Sequence, residues 1–345
     1  MMRIIENRFI LPAVFLILIQ PIFSQYNRHV SKAGTAAAAF LEMGVGARAL
    51  SMGDAFVSMA DDATGLYWNP AGISSTKKTT AQFFNLPWLA DIRFNYAAIA
   101  VPIQHKGVIG LSATSVTMND MMVRTIDSPE GTGEKFGAND VALGISYGRK
   151  ITDSFSFGFN VKFVQQQIYH MSASTMAIDI GSLFITRNRN IRIGMNVSNF
   201  GEKLRLEGKD TKITYDIDEE QTGNNDRIDG HLDTWEWPLP LIFRVGMSTD
   251  LLKSNNHTVT ISIDAVHPND NVEYVNAGVE YSWRENVFLR AGQSTIFMDN
   301  MEQGPSIGAG IRRKLMKNVY IQLDYVNRTF GVFNSISGFS LSLTY

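Results

Sequence analysis

The last ten residues of the chain alternate. Phe339, Leu341, Leu343 and Tyr345 share one face of an extended strand, and Ser340, Ser342 and Thr344 share the other. Successive strand side chains point to opposite sides, so such a segment has one apolar face and one polar or tiny face. The same period recurs upstream. In 154–164, Phe155, Phe157, Phe159, Val161 and Phe163 oppose Ser156, Gly158, Asn160 and Lys162; in 257–266, Val259, Ile261, Ile263 and Ala265 oppose Thr258, Thr260, Ser262 and Asp264. Fourteen such segments are predicted: 79–88, 92–103, 107–118, 138–150, 154–169, 175–186, 190–200, 239–249, 257–267, 272–283, 286–295, 305–313, 318–328 and 336–345.

Two architectures give this pattern: a soluble sandwich with its apolar face inward, or a membrane barrel with its apolar face outward. All but one of the segments run about 9–13 residues, longer than the usual 5–6 of globular sheets and suited to crossing a bilayer at a tilt. Their connections are sorted by parity. Those after even-numbered segments are short and polar, such as Thr152-Asp153 and Arg284-Glu285, while the longest, 119–137 and 201–238, follow odd-numbered ones. Short periplasmic turns and long extracellular loops are the pattern of an outer-membrane barrel, and an even strand number fits it. The predicted fold class is therefore all-β: a transmembrane antiparallel barrel of about 14 strands. A helical membrane protein is excluded, because past the N-terminus no run of about 20 apolar residues occurs.

Composition narrows the function. The net charge of −2 lacks the basic excess of nucleic-acid binders. The absence of cysteine rules out disulfides, thiolate metal sites and cysteine nucleophiles. Residues 1–24 carry Arg3 and Arg8, an apolar run from Phe9 to Ile19, and a small Ser24 at a cleavage position. That is the layout of a secretory signal peptide, so the mature chain is expected to begin at Gln25 and to reach the outer membrane.

Residues 25–78 do not alternate. They are rich in Gly and Ala, with few apolar anchors, and cannot bury a core of their own. About eight strands already give a barrel filled by its own side chains, so fourteen leave room inside. The segment is expected to be a hatch in the lumen of the 79–345 barrel, with Asn69-Pro70-Ala71-Gly72 as the turn delivering the chain into the first strand. Asp61 and Asp62 belong to the same motif; Asp and Asn bond their own backbone and Pro presets φ.

The stretch from Gly44 to Gly72, GVGARALSMGDAFVSMADDATGLYWNPAG, resembles the N-terminal signature of the PorV/PorQ family of FadL-like outer-membrane barrels. Asp264-Ala265-Val266-His267-Pro268-Asn269-Asp270-Asn271 and the end of the chain resemble it as well. The resemblance implies a 14-stranded barrel with an N-terminal hatch. It also implies association with type IX secretion, with a translocon and substrates bearing a C-terminal sorting domain as partners beside outer-membrane lipid. Asn69-Pro70-Ala71 further resembles the hatch of long-chain fatty-acid channels, which implies a hydrophobic ligand in the lumen as the alternative.

Other motifs carry less. Gly144-Ile145-Ser146-Tyr147-Gly148 matches a nucleophile elbow, but it lies mid-strand where a strand-to-helix turn is needed. Gly44-Val45-Gly46-Ala47-Arg48-Ala49 lacks the preceding strand of a dinucleotide site. The six histidines are scattered with no i, i+4 pair, so no zinc, no cofactor and no catalysis are expected. The 201–238 loop holds eleven acids against five bases, and Asp218, Glu220, Thr222, Asp226 and Asp229 approximate a calcium loop with departures from its pattern. Trp235 and Trp237 suit either an interfacial belt or a partner contact, because both favour amphipathic rings. His267 is the further candidate contact.

Overall fold

The computed structural model describes residues 32–345 apart from 105, 187–189, 219, 221–222, 224–226 and 299–302. Each alternating segment folds as a strand. In chain order these are β1 Thr80–Pro87, β2 Arg93–Ile103, β3 Gly107–Thr117, β4 Ala138–Lys150, β5 Phe155–Ile168, β6 Met171–Ile185 and β7 Arg192–Gly201. The second half comprises β8 Ile242–Lys253, β9 His257–Pro268, β10 Tyr274–Trp283, β11 Val287–Ile296, β12 Gln303–Lys314, β13 Tyr320–Phe330 and β14 Ser335–Thr344. Every neighbouring pair is antiparallel, and β1 pairs with β14, so the ring closes.

Exposure decides between sandwich and barrel. The apolar rows point out: Leu111, Ile145 and Ile307 are 52%, 62% and 60% exposed. The polar rows point in, with Ser146, Ser306 and Asp264 buried. No described helix is long and apolar enough to cross a membrane; the strands do so, because a closed barrel satisfies every ladder hydrogen bond within itself.

The parity of connections is physical. The turns after even strands gather at one end of the barrel, and 118–137 and 202–241 at the other. The connection from β5 to β6 is shorter than expected. Tyr169 adopts φ +53, and this left-handed residue lets the chain reverse at Tyr169-His170 so that β6 starts at Met171 rather than 175. The long loops carry their own small ladders: Lys212–Tyr215 pairs with Ile228–His231, and Leu204–Arg205 with Glu236–Trp237.

Residues 32–79 run through the barrel from the long-loop end to the turn end. At the start, the Ala37 N–H donates to Pro238 O at 2.9 Å and the Ala38 N–H to Gln166 Oε1 at 2.8 Å. At the other end the Tyr345 N–H donates to Thr79 O. Between lie a 3-10 turn Ala39–Glu42, α1 Ala47–Ser51, α2 Gly65–Trp68 and a 3-10 turn Gly72–Ser75. These pieces are too short to be stable alone. Their apolar residues Val45, Phe56, Leu66, Trp68 and Ile73 are buried against Phe84, Phe94 and Tyr96 of β1 and β2, forming a core between segment and wall.

Candidate functional site

The wall accepts the segment because it is cut away where backbone meets backbone. A β-carbon at Gly278 or Gly292, inward-facing on β10 and β11, would overlap the Met52 backbone. On the far side, one at Gly158 or Gly181 of β5 and β6 would overlap Pro70 or the Asn69 side chain. Glycine at these strand positions weakens the strand itself and marks close approach of another chain segment.

Polar clamps then fix the segment. Arg328 of β13 donates from Nη1 and Nη2 to the two Asp54 oxygens at 2.9 and 2.8 Å, and from Nη2 to Leu50 O at 2.9 Å. Asp264 of β9 accepts the Phe56 and Val57 backbone N–H groups on one oxygen, at 2.7 and 2.8 Å. Arg48 of α1 donates to Glu280 of β10 and to Asp61 and Asp62 at 3.0, 2.6 and 3.3 Å. Glu280 also accepts from Arg290, which reaches Asp324 at 2.7 Å. Burial works against the Arg48 charge, but Asp61, Glu280 and Asp62 outweigh it and hold the guanidinium above its ordinary value. Asp264 and Glu280 are thus buried and bonded, rather than solvated in a wet lumen. The segment packs against these strands, and a buried carboxylate needs partners.

The Asn69-Pro70-Ala71-Gly72 motif is part of this seat. Asn69 is buried; its Nδ2 donates to Val57 O and Ser182 O at 2.9 and 3.0 Å, and its Oδ1 accepts the Ala71 N–H. A β-carbon at Gly72 would overlap Ala60 O. The turn is followed by the 3-10 turn Gly72–Ser75 and then by Thr76–Thr79 before β1 begins. It packs against β5 and β6, and the chain crosses the mouth through Thr76–Thr79. Asp62 caps the next turn, accepting the Thr64 N–H and hydroxyl at 2.8 and 2.5 Å.

Beyond the seat, a polar cavity of about 630 Å³ opens at the turn end, lined by Arg48, Asp61, Asp62, Arg192, Glu280 and Arg290 among others. Phe40, Leu41, Met52 and Phe56 pack into the wall or the segment's own core. At the long-loop end Glu42 stands beside Asp270. Removal of its carboxyl from water, then the charge of Asp270 and a hydrogen bond with it, raise Glu42 to about 7, with Arg244 opposing.

The remaining sequence candidates lie apart from the seat. Trp235 is 81% exposed and Trp237 43% exposed on the 202–241 loop, and His267 bonds Glu273 at 2.9 Å. Thr222 and Asp226 of the calcium-like pattern lie outside the described residues. Asp218 and Glu220 form a turn in which the Glu220 N–H donates to Asp218 Oδ1, and Asp229 lies in the Ile228–His231 strand. Among the described residues no three acidic or histidine groups converge on a metal position. Ser146 donates to Asn160 Oδ1 inside the wall. Arg48, Asp54 and Asp264 lie within the sequence motifs and Arg328 outside them, but their clamping role escaped the sequence reading; its one signal is charge on the inward face of a strand or between buried apolar residues.

Three comparisons place the chain. No curated protein matches the sequence. Solved structures match nearly end to end. They include a Pseudomonas aeruginosa FadL homologue (13% identity, TM-score 0.50, 86% of this chain and 97% of that one). The Ralstonia pickettii toluene transporter TbuX follows at 11% identity and TM-score 0.54, over 88% of this chain and 97% of that one. The P. putida toluene transporter TodX aligns at 11% identity and TM-score 0.53, over 88% and 98%. Identities this low establish a shared FadL-like fold and nothing about ligand. A family model described as type IX secretion system protein PorV matches residues 25–218, more than half of the sequence. With the signature lining the seat and the barrel closed around it, the chain belongs to the PorV family.

Proposed function

We propose that this outer-membrane barrel is a non-catalytic component of type IX protein secretion that binds protein partners through its long-loop end. Residues 25–78 are its hatch, and residues 1–24 are a signal peptide removed on export. One observation carries the reading: the segment is tied to β9, β10 and β13 by buried charged bonds, so the lumen is closed by built-in contacts. A barrel closed in this way acts through its ends. The exposed Trp235, Trp237 and Leu232 of the 202–241 loop offer the amphipathic and apolar surface that interface centres use. A lipid channel needs apolar side chains free to line a pocket, and Phe40, Leu41, Met43, Met52, Phe56 and Met59 are in packing contact, which supports the secretion reading over a hydrophobic channel.

The test is direct binding of the full chain in detergent to a reporter fused to a C-terminal sorting domain. Binding that falls at least about tenfold in a Trp235→Ala, Trp237→Ala variant supports the proposal. No binding to the reporter, together with uptake of toluene into proteoliposomes, would replace it with the channel reading.

A further inference from the structure

We propose that the turn end of the barrel holds an anionic phospholipid, its phosphate between Lys77, Arg149 and Lys150 and its acyl chain on the outer wall of β14, β1, β2 and β3. A cavity of about 650 Å³ lies where the chain enters β1, and its lining includes those three cations, Lys78, Ile103 and Tyr345 but no acidic side chain. Lys77, Arg149 and Lys150 are exposed, and none forms an ion pair among the described residues. Lys78 is engaged elsewhere, donating to Asn318 O at 3.1 Å.

A second, independent feature starts next to it. On the outer face of the same strands an apolar groove of about 400 Å³ is floored by Ala81, Ala97 and Ala113 and walled by Phe83, Ile99 and Leu343. The two are joined along the outer face of β2 by Val101, an exposed apolar side chain between Ile99 and Ile103. Ala81 pairs with Ile99 and with Leu343, one step from the Thr80 level, and Ile103 lies four residues further along β2, about 13 Å at the rise of a strand. The cavity and the groove together have the polarity profile of one phospholipid.

The depth is right for a headgroup. Arg149 follows Leu143, Ile145 and Tyr147 on the outward row of β4 and pairs across to Phe157, one residue before the strand ends, so its guanidinium stands at the turn-end rim of the barrel. Basic pockets at that level recognise anionic lipid phosphates, and long cationic side chains reach the interface from an apolar wall. An acidic protein would match the charge but would leave the groove empty; a lipid explains both.

Native mass spectrometry of the full chain in detergent tests this with phosphatidylglycerol and phosphatidylethanolamine of identical acyl chains. Phosphatidylglycerol should be retained at least about fivefold more strongly. Lys77→Gln with Lys150→Gln should abolish the preference, while Ala97→Leu, which fills the groove, should weaken both lipids. All these residues are exposed, and heat-modifiable migration of each variant confirms an intact barrel. Should the double variant fail to insert, either single change should lose about half of the preference. Equal retention of the two lipids overturns the proposal. Displacement by glycerol phosphate with Ala97→Leu silent would show a free-phosphate site. Displacement by a polyglutamate peptide at equal concentration would show an acidic protein surface; either result also overturns it.

Discussion

Arg328 and Asp54, 274 residues apart, meet through two parallel hydrogen bonds at 2.9 and 2.8 Å inside the barrel. The guanidinium fork matches the carboxylate plane, and the remaining reach of Nη2 to Leu50 O binds the segment backbone as well. The side chains are 5% and 15% exposed, so both charges are largely withdrawn from water.

Arg328→Met should therefore destabilise the folded barrel by about 3–5 kcal/mol, because it strands the Asp54 carboxylate. Adding Asp54→Leu should recover most of the loss, as two apolar groups replace a pair. Urea unfolding in detergent measures both, and a double variant no better than the single one would show that the pair does more than neutralise itself.

Asp264 holds two backbone donors on one oxygen, and its replacement separates charge from bonding. Asp264→Ala leaves the Phe56 and Val57 N–H groups without their acceptor and should cost about 1–3 kcal/mol per orphaned group. Asp264→Asn keeps an acceptor and should lose less than half of that. Equal losses would mean that the negative charge, not the acceptor, seats the segment.

The strands were legible from sequence, while the clamps were not, for one reason. Phe339 and Leu341 declare their face through their immediate neighbours, because strand period is local. Arg48 finds Glu280 only after fourteen strands have closed, 232 residues along the chain. A carboxylate on an inward row is equally consistent with water or with a partner until the occupant of the lumen is known. Asn69 shows the intermediate case: its turn chemistry is local and was visible, but its bond to Ser182 O on β6 was not. The early reversal at Tyr169 was missed because a left-handed tyrosine has no sequence signature.

The glycine seat predicts a separable defect. Gly292→Val on β11 would drive a side chain into the Met52 backbone, whereas Ala309→Val on the outward row of β12 would not. The first variant should still insert and migrate as a barrel, yet lose residues 32–79 to added protease and conduct ions in planar bilayers. The second should stay closed. Protection of the segment in Gly292→Val would show that the wall can deform around it.

Glu42 predicts a pH slope. Its proton is bound with a pKa of about 7 in the folded chain against an ordinary 4.5. The raised value means that its contribution is complete below about 4.5 and is lost as pH rises through about 7. The window corresponds to about 3 kcal/mol, cut to about 1 kcal/mol because Glu42, though partly withdrawn from water, keeps solvent contact that screens it. Unfolding free energy should fall between pH 5 and pH 8, and Glu42→Gln should flatten that slope. An unchanged slope in the variant would assign it to another group.

The Ala47 N–H bonds Ser340 Oγ across 293 residues of sequence, linking α1 to the final strand. A chain end that is synthesised first must therefore wait for the end that is synthesised last. Because residues 32–79 enter at one rim and leave at the other, the finished hoop of strands surrounds a threaded core. Closure of β1 onto β14 is then the step that traps it, and an unclosed hoop would leave the thread free to slip.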